Sequence, residues 1–164
     1  MGFFQIALTV AAFLCSLVAG FLFAFAIVVM PGIKKLSDRE FIRAFQTIDR
    51  VIQNNQPVFL LVWVGSVLAL IAAAFLGMGQ LDRVGRVLII SAAVAYLVGV
   101  QLPTVAISIP LNNKLHTVNV DALNDSTRHA ARKDFEPRWN HWNTIRTAMA
   151  SLVSALLLVL LFRL

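Results

Sequence analysis

Nine residues near the last apolar stretch, from Arg138 to Arg146, include Trp139, Asn140, His141, Trp142 and Asn143. Trp139, Asn143 and Arg146 follow one another at offsets of four and three, which puts them on one face of a helix. An Arg and an Asn at or inside a membrane span are expensive to bury, so they are expected to face the protein interior and form a polar site. Arg146 then suits a carboxylate, phenolate or carbonyl of a ligand. Snorkelling to the interface is the plainer alternative, and Asp49 or Glu136 is available as partner in a structural ion pair. Trp139 and Trp142 suit stacking against a flat molecule, although Trp also gathers at membrane interfaces without further role. His141 is the first choice for a general base, imidazole being the side chain that exchanges a proton near neutral pH.

A second polar group closes the third apolar stretch: Gln101, Thr104, Ser108, Asn112 and Asn113, with Pro103 among them. Pro103 lacks an amide and frees a carbonyl, so a kink is expected there. Either the kink opens a pocket or Thr104 and Ser108 satisfy the freed backbone. His116, His129 and His141 can be drawn with Asp121 and Asp134 as a metal site, but no short ligand spacing supports one, and no metal is expected. The chain shows neither a phosphate-binding glycine loop nor a nucleophile elbow.

The elements that must position these residues follow from composition. Of the 164 residues, 59% are hydrophobic and 13% charged, with a mean hydropathy of +0.81. Four stretches reach the roughly 20 residues needed to cross a bilayer: Phe4 to Met30, Val58 to Leu76, Val87 to Ile109, and Trp142 to Phe162. An all-α, integral membrane four-helix bundle is expected, a single domain over residues 1–164. Lys and Arg concentrate in loops 31–57 and 110–141, which the positive-inside rule places in the cytoplasm, with both termini outside. The formal charge of +6 lies in loops that also hold most of the acids, so nucleic acid is not an expected partner. Cys15, the one cysteine, reads as a packing residue.

The two long loops begin alike. Pro31 and Pro110 are each followed by Lys four and Leu five residues on, if Lys35 and Leu36 are set beside Lys114 and Leu115. Pro57 and Pro137 then open the next spans. This predicts a tandem 2+2 repeat of span, proline break, surface helix and span, with like-oriented halves. Ser37 and Glu40 form a capping box, opening a helix whose Phe41, Phe45, Ile48 and Ile52 make one apolar stripe. Gln46, Asp49 and Gln53 run beside it. In the second loop a turn is expected, then a short helix from about Thr127 to Phe135. Small residues recur every four positions, as at Gly65, Ala69, Ala73 and Gly77, which predicts close helix contacts.

Met30-Pro31, Gln46, Pro110-Leu111-Asn112 with Leu115, and Trp139 with Asn143 and Arg146 together resemble the small four-helix membrane family that includes the fungal anthrone oxygenases. The resemblance covers nearly the whole chain, and the Pro-Leu-Asn plus Trp, Asn, Arg combination is its most specific part. It implies an oxygenase that inserts oxygen at an activated aromatic carbon to give a quinone, with dioxygen as co-substrate and no cofactor. On that basis His141 is the base, Arg146 and Asn143 stabilise an oxyanion, Trp139 and Trp142 hold the substrate, and Gln46 and Asn112 close the mouth. His141 is chosen on the residues alone, outside the family pattern. The expected partners are a small apolar or aromatic molecule and the lipid bilayer. A rival expectation is a non-enzymatic binder, carrier or assembly protein, for which four spans would require a homodimer.

Overall fold

The computed structural model describes residues 2–164. Its long elements are five helices: α1 (Phe3–Ile33), α2 (Asp38–Gln53), α3 (Pro57–Gly77), α4 (Arg83–His116) and α5 (Asp125–Phe162). All but α2 are long and apolar enough to cross a membrane, so the chain is a multi-pass membrane protein built as a helical bundle.

Local chemistry sets the helix starts. Ser37 Oγ accepts the Glu40 amide while Glu40 accepts the Ser37 amide at 3.1 Å, the reciprocal box expected for α2. Asp82 caps α4 through the Gly85 amide at 2.7 Å, and Asn124 caps α5 through the Thr127 amide at 2.9 Å. Asn55 takes a left-handed backbone, with φ of 58°, and so turns α2 into α3. Asn tolerates this conformation better than most residues.

The expected proline breaks do not occur. Pro31, Pro103 and Pro110 each follow a five-residue π-helical turn that ends two residues earlier: Phe25–Val29, Leu97–Gln101 and Thr104–Ser108. After each turn an amide reaches five residues back, Met30 to Phe25, Leu102 to Leu97 and Ile109 to Thr104. A proline ring collides with the carbonyl four residues before it, and a wider turn moves that carbonyl aside so that the helix continues. Pro137 does not open a span either. It lies inside α5, which runs unbroken for 38 residues and absorbs the short helix expected over Thr127 to Phe135. Pro137 and Lys133 lie on the exposed face of α5, so the Lys133 carbonyl left without an amide stays open to solvent, while Phe135 and Trp139 bury the other face.

Within the membrane, α1 packs against α3 and α5, and α5 against α4. The small-residue faces allow this. A Cβ on Gly99 would stand 2.7 Å from Met149 Cγ of α5, and one on Gly77 would stand 2.9 Å from the Phe4 ring of α1. α3 and α4 are stitched by Ser66 Oγ and Tyr96 OH at 2.7 Å and by Trp63 Nε1 donating to Gln101 Oε1 at 2.9 Å.

A second core caps one end of the bundle, where Phe41 and Phe45 of α2 meet Phe25, Leu111, Leu115, Phe135 and Trp139. Both long connections therefore lie on one face. Arg132 donates to the carbonyls of Lys34 and Leu36 at 2.8 and 2.9 Å and to Asp38 at 3.0 Å. Arg39 pairs with Asp121 at 2.6 Å, and Arg43 shares that carboxylate. The second core and these ion pairs hold α2 over the bundle mouth.

Candidate functional site

Beneath α2 lies a cavity of about 330 Å³, at the lower end of the roughly 300–1,000 Å³ of small-molecule sites. Most of its wall is apolar and aromatic: Phe21 and Phe25 from α1, Phe45 from α2, Phe59 and Trp63 from α3, Trp139 from α5. Two polar groups interrupt it.

The first is built on Arg146, which is 4% exposed. Its Nη1 donates to Thr104 Oγ1 at 3.1 Å and its Nη2 to Asn143 Oδ1 at 3.2 Å. Asn143 in turn donates to the Leu22 carbonyl at 3.1 Å, next to the π turn of α1. Arg146 Nε has no partner, nor has the hydroxyl of neighbouring Ser108. A guanidinium carries five N–H donors, and no carboxylate among the described residues lies in ion-pair range of this one. The structural ion pairs open to it at the sequence level are taken elsewhere: Asp49 bonds His116, and Glu136 holds Arg132 at 2.7 Å. Leaving such a cation half-bonded in an apolar interior is costly, so the arrangement suits an acceptor or anion brought in by a ligand.

The second group is built on Asp49, buried and in the cavity wall. Its Oδ1 accepts Asn112 Nδ2 at 2.8 Å, and its Oδ2 accepts Gln53 Nε2 at 2.8 Å and bonds His116 Nε2 at 2.9 Å. Asn112 Oδ1 accepts Trp139 Nε1 at 2.9 Å. Three of the carboxylate's roughly four lone-pair sites are thus filled, leaving one. His116 stands behind Asp49, outside the cavity lining, with its side chain 18% exposed. It connects the buried carboxylate to the aqueous edge. Trp139 joins the two groups, since the Arg146 guanidinium lies 5.8 Å from its ring centre.

Of the residues singled out from the sequence, Trp139, Asn143, Arg146 and Asn112 come together in this cavity. His141, Trp142 and Gln46 do not line it. His141 is exposed, its ring edge-on to Trp142 at 5.8 Å. The reason is helical geometry: two residues from both Trp139 and Asn143, it is turned about 200° away from their face. The structure therefore does not bring His141, the expected general base, to the cavity. Trp142 is half-buried outside the wall, and Gln46 fastens α2 to the end of α4 by donating to the Leu115 and Val118 carbonyls at 2.8 and 2.9 Å. The Asp49–His116 pairing is not among the expectations drawn from the sequence. Its signal was two i,i+4 pairs of polar residues, Asp49 with Gln53 and Asn112 with His116, each marking one helical face.

No curated protein and no solved structure matches the chain. Residues 48–157, about two thirds of the chain, match the family described as Anthrone oxygenase. That range begins within α2 just before Asp49 and takes in Asn112, His116, Trp139, Asn143 and Arg146. The matched segment thus carries both polar groups of the cavity, and the chain belongs to the anthrone oxygenase family.

Proposed function

We propose that the chain is a membrane oxygenase that converts an activated carbon of a hydroxylated, anthrone-like aromatic into a carbonyl, giving a quinone. The observation that carries this reading is Arg146, buried in an aromatic-walled cavity with an unpartnered Nε, in a wall that also presents Asp49. The walls accept a flat ring system. Arg146 and Asn143 hold the oxygen on which charge develops, and in a water-poor site such donors act strongly.

The Asp49–His116 pair serves as the base. It removes a proton from the methylene carbon opposite the ring carbonyl, and the electron pair moves into the ring to make the carbonyl oxygen an oxyanion facing Arg146. The electron-rich carbon transfers one electron to dioxygen and combines with the reduced oxygen, and the returning proton gives a hydroperoxide. Loss of the second hydrogen from that carbon, with cleavage of the O–O bond, releases water and leaves the new carbonyl. One oxygen atom enters the product, the other leaves as water, and dioxygen is the sole oxidant. No cofactor is assigned to this sequence of steps. The face bearing both loops is proposed to be cytoplasmic, from its Lys and Arg content.

Oxygen uptake by the purified protein in detergent, over a panel of anthrones and hydroquinones, tests the reading. Uptake that survives metal chelation and is lost in Arg146→Ala is expected. Folded protein that binds members of the panel yet consumes no oxygen would turn the assignment to a binder or carrier.

A further inference from the structure

Two side-chain hydrogen bonds join α3 to α4, and Trp63 to Gln101 is the one nearer the loop face. Closer to that face, no further side-chain hydrogen bond links the two helices among the described residues, and both helices line the cavity there. Leu60 of α3 and Ile109 of α4 both line it, yet are 40% and 45% exposed. Leu60 is the fourth residue of α3, about 4.5 Å along the helix from Pro57, so its outer side faces acyl chains. Gln53, Asn55 and Asn113, all exposed, line the cavity on the loop side of these two. From above, Phe45 and Asp49 of α2 roof the cavity.

The opening thus has apolar sides within the span and a polar rim at the interface. A hydrated anion would have to shed its water between two aliphatic side chains to pass them. A lipid-dissolved ring system meets no such barrier, and a hydroxyl or acidic edge on it can stay with the amides of the rim until it reaches Arg146. We infer that the cavity is loaded sideways from the bilayer, between Leu60 and Ile109, and that its ligand is a membrane-partitioned amphiphile with a flat apolar body and one hydroxylated or acidic edge. The inference rests on the cavity being the binding site proposed above, but its test needs no turnover, so loss of the oxygenase reading would leave the route standing.

In a Cys15→Ala background, Ser108→Cys and, separately, Phe59→Cys place a thiol on the cavity wall. Protein in vesicles is treated with a lipid-soluble pyrene maleimide or a water-soluble anionic methanethiosulfonate, with monodispersity on size exclusion as the check of folding. Modification by the lipid-soluble reagent alone is expected, slowed about tenfold or more when Leu60→Phe and Ile109→Phe narrow the gap. Comparing rates with and without the paired phenylalanines cancels the intrinsic reactivity of each thiol. Equal modification from water, no effect of the phenylalanines, or no modification of either thiol by the lipid-soluble reagent would overturn the route.

Discussion

Arg146 is held by two uncharged oxygens and retains unbonded N–H groups, so its removal should be felt at a developing oxyanion more than in the fold. Arg146→Ala is expected to lower turnover about 10²–10³-fold, the usual effect of losing one such donor, with thermal unfolding checking that the bundle survives. Asp49→Asn and His116→Gln should each depress turnover while leaving ligand binding measurable, whereas His141→Ala should retain near-full activity; the oxygen electrode separates the three. A loss confined to His141→Ala would return the base to α5. Trp139, Asn143 and Arg146 were legible because their spacing lies within one helix. The Asp49–His116 pair was not legible, because Asp49 finds Asn112 and His116 more than 60 residues away. Spacing can say which face a residue occupies, but not which face of another helix it will meet.

At the level of elements, α2 was readable from its capping box and stripe, whereas the course of α1 and α4 through their prolines was not. A π turn has no composition of its own. Its cause is the proline two residues later, and its effect is to rotate the helix beyond it. In α4 the second π turn begins at Thr104, the residue that meets Arg146. α2 is held by carboxylates that titrate in acid. Burial alone would raise Asp38, but hydrogen bonds from His129 and Arg132 bring it below its ordinary 3.8. A hydrogen bond from Arg39 and the charge of Arg43 lower Asp121 likewise. Each folded-state value is depressed, so the stabilisation is complete above the unfolded value and is lost as pH falls through the folded one. The protection factors of the α2 amides, with exchange corrected for its intrinsic pH dependence, are therefore expected to fall below about pH 4 while those of the spans hold. The effect is small because Asp121 is exposed and Asp38 only partly buried, so solvent screens both.

At the scale of the molecule, the four spans and the placing of both loops on one face followed from hydropathy and from counting crossings. The cavity did not, because its walls are drawn from all five helices. Orientation is open to direct measurement. An impermeant thiol reagent added to intact cells should reach Gln80→Cys and leave Lys35→Cys and Lys133→Cys untouched; the opposite pattern would invert the assignment. α5 adds a constraint of another kind. Its 38 residues extend about 57 Å, nearly twice the ~30 Å of hydrocarbon that about 20 residues cross. Counted back from Phe162 without tilt, the crossing ends near Asn143 and leaves Arg146 roughly one turn inside the boundary. Acyl-chain length then becomes a control on the site. In short-chain lipids Arg146 shifts into headgroup hydration and water competes for its free N–H; in longer-chain lipids the cavity stays dry. Turnover measured across vesicles of increasing acyl length should rise and then level off, whereas a site at the midplane would be indifferent to the series.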